Sequence, residues 1–144
     1  MCLSIAIRHP ENVLATGTHE GFEWIVTNNG SGYRCGYVRV PKGHPWHGKG
    51  YMDEGFDPDV YCGITFAQPD LPCDKAGEDD AWWLGFDCAH GGDDPDPELP
   101  GSDAPWSKAL KLEDGTPRSQ EFAESNCLSL CEQAAKALSE VLPD

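Results

Sequence analysis

The sequence predicts an α+β domain in which a mostly antiparallel β-sheet of about four or more strands packs against one long C-terminal α-helix. Aromatic and β-branched runs separated by turn signals predict the strands, roughly between residues 20 and 90. Apolar residues that recur every three or four positions predict the helix, roughly over 117–142. With 144 residues, 39% of them hydrophobic, the chain can form one core, so 1–144 is predicted to be a single domain.

The first predicted elements form a β-hairpin. The N-terminal stretch MCLSIAIRHPENVLA has one Arg and a short apolar run, which fits neither a signal peptide nor a membrane span. Residues 22–27 (FEWIVT) and 33–40 (YRCGYVRV) then predict two strands, because β-branched and aromatic residues dominate both. The intervening NNGSG is a strong turn signal.

Two further strands are predicted between irregular segments. Residues 41–59 contain too much Gly, Pro and charge for regular structure, and 61–67 (YCGITFA) and 81–88 (AWWLGFDC) predict the third and fourth strands. The segments 68–80 and 91–115 are rich in Asp, Glu and Pro. We therefore predict that both are exposed acidic loops.

The predicted helix has a marked start and end. Thr116 is the expected N-cap, with Pro117 in the first turn, and Pro143 ends the helix. Its apolar stripe consists of Cys127, Cys131, Ala134, Leu138 and Val141. The stripe is expected to pack across one face of the sheet, although it could instead bind a partner.

The charge and the cysteine content of the chain limit the classes of partner and the kind of cysteine chemistry to be expected. A net charge of −15 argues against direct binding to nucleic acid, and favours a basic partner protein, a metal ion or simple solubility. The count of 7 Cys is odd, and Cys35, Cys62 and Cys88 lie in apolar strand-like runs. Reduced, buried thiols are therefore predicted rather than a disulfide framework.

A candidate metal site follows the fourth strand. Asp87 is predicted to share a face with Trp83 and Gly85, on the side that Gly85 leaves open, and His90 and Asp93 follow on a glycine turn. If the chain bends there, Asp87, His90 and Asp93 could converge on Zn, Mn or Fe. The alternative is an exposed turn in which His90 is hydrogen-bonded to a neighbouring carboxylate and no cofactor is bound.

A second candidate site lies in the GHPWHGK loop. His44 and His47 are three residues apart and could point to the same side, while Trp46 offers a stacking surface and Lys49 a positive charge. Such a loop could bind a small nucleotide-like anion. The alternative is a rigid surface loop. Because no nucleophile, Walker or dinucleotide signature is present, we predict no catalytic residue.

Three segments together support a resemblance: GYVRVPKGHPWHGKGYMD, YCGIT and WWLGFDCAHGGDD, followed by a Cys-containing helix. Over roughly residues 20–140 the chain resembles small proteins of unassigned function encoded by tailed bacteriophages and prophages. Members of that group carry His-Gly-Gly-(Ile or Leu)-Thr where this chain has YCGIT, so Tyr61 stands where a His is expected. The resemblance implies a phage accessory protein in the bacterial cytoplasm.

Two functions follow as expectations. The first is a non-enzymatic protein that binds a basic host component, such as the nucleic-acid-binding surface of a defence complex, or that sequesters a small nucleotide through His44, Trp46, His47 and Lys49. The loops 68–80 and 92–104 would contact the protein partner, through Asp79, Asp80, Asp93, Asp94 and Asp96. The alternative is a metal-dependent hydrolase that uses Asp87, His90 and Asp93.

Overall fold

The described residues form a five-stranded antiparallel sheet with one long helix, which confirms the predicted α+β class. The computed structural model describes Leu3 and residues 9–70, 81–105 and 115–141. A short 3₁₀ helix, Pro10–Asn12, precedes the sheet. The other elements are β1 Val13–His19, β2 Phe22–Asn28, β3 Arg34–Val40, β4 Phe66–Pro69, β5 Trp82–Asp87 and α1 Gln120–Val141.

The sheet has the strand order β1-β2-β3-β5-β4, and each strand runs antiparallel to its neighbours. The predicted hairpin is confirmed as β2 and β3, with Trp24 opposite Val38. Its turn is held by Asn28, whose side-chain oxygen accepts hydrogen bonds from the amides of Gly30 and Gly32 at 3.1 and 3.0 Å. Gly32 adopts φ +93°, a conformation that glycine tolerates best.

Two strand predictions need correction. The sheet begins at β1, earlier than the predicted position near residue 20, because the edge strand VLATGTH is only half buried and lacks the apolar density of a central strand. The predicted third strand, 61–67, is mostly a turn, since Cys62 and Gly63 have φ of +58° and +82°. The Thr65 amide donates to the Gly85 carbonyl of β5 at 2.9 Å, and the regular pairing with β5 starts at Phe66.

Helix α1 covers one face of the sheet. Its buried residues are Ala123, Cys127, Leu130, Cys131 and Ala134. They pack in one cluster with apolar residues of β2, β3 and β5, so most of the predicted stripe is confirmed as intramolecular core. Val141 is the exception, because its side chain is 60% exposed.

The helix starts later than predicted. It begins at Gln120, and the Ser119 hydroxyl accepts a hydrogen bond from the Phe122 amide at 3.1 Å, so Ser119 takes the capping role expected of Thr116. Thr116 instead forms an isolated bridge with Asp93. Among the described residues, no helix is long and apolar enough to cross a membrane.

The opposite face of the sheet carries a second, smaller cluster. Ile25, Tyr37 and Trp83 are buried there together with Leu3. Trp83 thus lies on the face away from α1, while Leu84 and Phe86 face the helix, as the strand alternation predicts. The space beside Gly85 is not open, however, because the Tyr37 ring fills it.

The described cysteines are free thiols, and Cys62 differs from the others. Cys35, Cys88, Cys127 and Cys131 are buried, as predicted for the first two, whereas Cys62 is exposed on its turn, contrary to the prediction. Burial raises the pKa of the Cys35, Cys88 and Cys131 thiols to about 12 and also raises the pKa of Cys127. A thiol that is buried and protonated is a poor nucleophile.

We therefore expect brief treatment with iodoacetamide at about pH 8, near the pKa of an ordinary thiol, to alkylate Cys62 while the four buried cysteines stay unmodified. Peptide mass spectrometry of the native protein measures this site by site. A Cys62→Ser variant, treated in the same way, is the control for residual labelling. Alkylation of Cys127 as fast as that of Cys62 would contradict the burial described above.

Candidate functional site

The 41–59 loop is irregular, as predicted, but it is built from successive hydrogen-bonded turns. The amide of His47 donates to the His44 carbonyl at 3.0 Å, and the amide of Lys49 donates to the Trp46 carbonyl at 3.0 Å. Further along, the Asp53 carboxylate accepts a hydrogen bond from the Gly50 amide at 2.7 Å. The loop therefore has a defined path across the protein surface.

His44 is the residue that ties this loop to the helix. It is only 4% exposed. Its Nε2 lies 2.8 Å from the Ala134 carbonyl oxygen, and its Nδ1 accepts the Trp46 amide at 2.9 Å. Desolvation lowers the pKa of His44, the Ala134 hydrogen bond opposes this, and His47 adds a small lowering.

The predicted nucleotide site is not assembled in this loop. Both nitrogens of His44 are used within the chain, and Trp46 is half buried between the rings of His44 and Phe56, at centroid distances of 5.5 and 5.7 Å. His47 packs instead against Trp82, at 5.8 Å. Lys49 is exposed, and its carbonyl accepts the Trp82 indole N–H at 2.8 Å. The two histidines thus contact different groups rather than one ligand.

Asp93 is the centre of a polar cluster near the start of α1. Its side chain is fully buried, and the Tyr61 hydroxyl donates to both carboxylate oxygens, at 2.9 and 2.8 Å. The Arg118 Nε donates to the same carboxylate at 2.8 Å. The backbone amide of His90 adds a fourth bond, at 3.1 Å. Burial together with the hydrogen bond to Asp93 raises the pKa of Tyr61 to about 12.

Aromatic rings hold Arg118 in this position. Its guanidinium lies 5.0 Å from the ring centroids of both Tyr61 and Phe122, which is cation–π geometry. The rings of Tyr61 and Phe122 are also in edge contact, at 5.0 Å. Tyr61, at the position where the resemblance predicts a His, has a structural role in this chain: its ring and its hydroxyl contact an ion pair whose carboxylate is buried and whose guanidinium is partly exposed.

His90 and Asp87 form a neighbouring pair. His90 Nε2 lies 3.3 Å from Asp87 Oδ1, without the alignment of a hydrogen bond, and the Thr65 hydroxyl donates to the same oxygen at 2.8 Å. This arrangement is closer to the alternative interpretation, in which His90 lies against a carboxylate on a turn. Both side chains are about one-third exposed.

The predicted convergence of Asp87, His90 and Asp93 is not observed. The Asp93 carboxylate is bound by Tyr61, Arg118 and the His90 backbone amide, so it serves an internal ion pair. Within the described parts of the chain, no three His, Cys, Asp or Glu side chains are grouped so that they could hold a metal ion. Uptake of Zn or Mn stays a prediction that metal analysis can test.

The acidic residues assigned to partner contact also need correction. Asp93 and Asp94 are 3% and 5% exposed, because the chain around them pairs with the residues before α1. Asp96 forms a 2.8 Å ion pair with Arg34. Burial acts to raise the pKa of Asp96, but the Glu98 amide and Arg34 outweigh it and hold that pKa below its usual value. Asp79 and Asp80 lie outside the described residues.

Two arginines that the sequence interpretation did not single out organise this end of the molecule. Besides Asp96, Arg34 binds the Gln120 side chain and the Arg118 carbonyl, at 2.9 and 2.8 Å. It therefore joins β3 to the first turn of the helix. A signal was present, because an Arg within an apolar strand of a strongly acidic chain requires a buried carboxylate partner.

Within the part of the chain that the structure describes, a run of exposed carboxylates lies instead at residues 51–59, which we call the acidic segment. Its exposed carboxylates are those of Asp53, Glu54, Asp57 and Asp59. Tyr51 and Met52, at its start, are 65% and 86% exposed. The end of the segment is fixed to α1, since Gln133 exchanges two hydrogen bonds with the Asp59 backbone, at 2.8 and 2.7 Å.

In comparisons with known proteins, no family model, no curated protein and no solved structure matches this chain. The resemblance to phage proteins therefore depends on the sequence segments alone.

Proposed function

We propose that this chain is a phage-encoded accessory protein that acts without catalysis, by binding a basic host protein in the bacterial cytoplasm. The observation that carries the proposal is the acidic segment, which combines four exposed carboxylates with exposed Tyr51 and Met52. The net charge of −15 supports it further, because it would steer the protein toward a positively charged surface. A host defence component whose basic groove normally binds nucleic acid is a partner of this kind.

The two kinds of side chain in the segment have different roles in this proposal. Carboxylates at the rim of an interface mainly raise the association rate and select partners of opposite charge. Exposed aromatic and methionine side chains supply buried apolar area after docking, and both types are enriched at interfaces. A partner surface that fits the segment therefore carries Lys or Arg around an apolar pocket.

We expect immobilised protein to retain basic proteins from a bacterial lysate at about 50 mM salt and to release them at about 500 mM. The reason is that added salt reduces the range over which opposite charges on the two proteins attract each other. Neutralising the segment, by Asp53→Asn, Glu54→Gln, Asp57→Asn and Asp59→Asn together, should abolish retention. The retained proteins are identified by mass spectrometry and purified, and their affinity is then measured directly.

Matched variants separate the segment from the overall charge. Glu11→Gln, Glu98→Gln, Asp103→Asn and Glu140→Gln remove the same number of exposed carboxylates elsewhere and should leave retention intact. Tyr51→Ser with Met52→Ser should weaken retention, whereas Val141→Ser, at another exposed apolar residue, should not. Equal losses in both charge variants would show that the segment has no special part in binding.

A further inference from the structure

We propose that His44 is a pH-operated latch, which holds the 41–59 loop on α1 while its imidazole is neutral and releases the loop when the imidazole takes up a proton. The pH-dependent release of the loop depends only on the contacts of His44. Its effect on partner binding rests on the proposed function, because the same loop carries the acidic segment.

The two hydrogen bonds of the His44 ring are compatible with only one protonation state of the imidazole. The Trp46 amide is a donor, so Nδ1 must present a lone pair to it, and the Ala134 carbonyl is an acceptor, so Nε2 must carry the proton. A second proton would have to sit on Nδ1, facing the Trp46 N–H at 2.9 Å. Protonation therefore replaces a hydrogen bond by the opposition of two donors.

Within the described parts of the chain, His44 has no carboxylate partner that would compensate for a positive charge. The Phe22 ring of β2 is perpendicular to the imidazole, with its centroid at 5.3 Å, and the centroid of the Trp46 ring lies at 5.5 Å on the loop side. On the α1 side the partner is a backbone carbonyl, which already accepts the Nε2 proton. Among the described residues, the titratable neighbour that acts on His44 is His47, whose positive form would repel it.

The charged side chains of the surrounding elements are engaged elsewhere or do not act on His44. Glu23 of β2 lies 3.7 Å from Arg39, and Glu132 of α1 lies 3.8 Å from His19. Lys136 of α1 and Lys42 of the loop are exposed and are not among the causes of the shift. The contacts of the closed loop therefore favour the neutral imidazole, and the described residues provide no ion pair for its protonated form.

Linkage gives the direction of the pH effect. Desolvation lowers the pKa of His44 in the closed loop below its ordinary 6.5, whereas an opened loop returns the imidazole to water and to that ordinary pKa. The open form thus binds the proton more strongly. Neutral His44 therefore contributes fully to the stability of the closed loop above about pH 6.5. This contribution is lost as the pH falls from 6.5 toward the lower pKa that His44 has in the closed loop.

Opening at His44 would be transmitted to the acidic segment. The Trp46 ring contacts the His44 ring at 5.5 Å and the ring of Phe56, within the segment, at 5.7 Å. Since the His47 amide also bonds to the His44 carbonyl, displacement of His44 disturbs the turns that lead to residues 51–59. Acid is therefore expected to loosen the proposed docking surface while the sheet and helix stay folded.

Hydrogen exchange tests the latch in the intact protein. Exchange of peptides from 41–59, corrected for the intrinsic rate, is measured from pH 8 to pH 5 and compared with peptides from β2 and β3. We expect protection of the loop to fall by about tenfold for each unit by which the pKa values of the closed and open forms differ, with the strand peptides unaffected. His47→Gln, at the other loop histidine, should keep the transition.

A non-titrating side chain at position 44 should remove the transition. His44→Gln can still donate to a carbonyl, and His44→Asn can still accept an amide, so loop protection in either variant should become independent of pH. An NMR titration of the imidazole in the unmodified protein checks the latch even if both variants misfold. Loop protection that does not change down to pH 5, or an identical transition in His44→Gln, would overturn the latch.

Lysate capture at pH 7.5 and 5.5 then tests whether the His44 latch controls partner binding. Retention that weakens at the lower pH in the unmodified protein, but not in His44→Gln, supports control of binding by the latch. An exchange transition without any change in retention overturns that control and leaves the proposed function standing. Absence of retention at both pH values contradicts the proposed function, while the exchange experiment still decides whether the latch exists.

Discussion

Replacing Arg118 by Met is expected to lower the free energy of unfolding by about 3 kcal/mol, because it leaves a buried carboxylate without its cation. The Asp93 side chain is fully buried, and Arg118 is its charged partner at 2.8 Å. Met retains much of the apolar stem that packs on the rings of Tyr61 and Phe122, so the loss reports mainly on charge. Urea denaturation, followed by tryptophan fluorescence, measures the difference.

A matched control and a double variant make this prediction specific. Lys136→Met removes a positive charge from an exposed position of α1 and should change stability by less than about 0.5 kcal/mol. Combining Arg118→Met with Asp93→Asn should restore part of the loss, since the amide carries no buried charge. If Arg118→Met is no more harmful than Lys136→Met, the ion pair contributes little to stability.

Substituting Gly36 by Ala is expected to destabilise the protein by about 2 kcal/mol, because the core has no room for the added methyl group. A Cβ at this position would overlap the Phe86 ring and lie 2.7 Å from the Cys127 sulfur. Gly36 sits at the centre of β3, under α1, so the helix or the ring would have to move. Thermal and urea unfolding should both show the loss.

Gly91→Ala is the comparison for this substitution. Nothing lies within 4 Å of a Cβ at Gly91, and its φ is not in the left-handed region. The same chemical change should therefore be neutral or slightly stabilising, by at most about 1 kcal/mol, through the lower entropy of the unfolded chain. Equal effects at both glycines would mean that the close contact between α1 and β3 is absent in solution.

The elements that the sequence predicted well are those with a strong local signal. The hairpin could be predicted from the NNGSG turn between two β-rich runs, and α1 from the spacing of Cys127, Cys131 and Ala134. The prediction over 61–67 failed because YCGIT is apolar enough for a strand, yet Cys62 and Gly63 adopt positive φ there. Composition does not reveal such a turn.

The candidate sites could be predicted only in part, because a titratable side chain looks the same in the sequence whether it is paired or exposed. Asp93 and His44 were singled out from the sequence as residues that face a ligand, a metal ion or a partner. The structure gives each of them an internal partner distant in the chain, Arg118 and Ala134 respectively. His90 packs against Tyr61, and the Tyr61 ring in turn contacts Phe122 of α1. Phe122 is twelve residues, or about 18 Å along the helix, from Ala134, which contacts His44.

The sequence by itself determined the α+β class, the hairpin, the long amphipathic helix and the strongly acidic character of the chain, because each of these depends on local periodicity, turn residues or composition. Only the tertiary structure decided which charges are available to a partner. Contacts between β3, the turn after β5 and the residues before α1 bury Asp93 and Asp94 and half-bury Asp96, whereas the acidic segment at 51–59 stays exposed. Burial and pairing arise from residues far apart in the chain, and no local pattern encodes them.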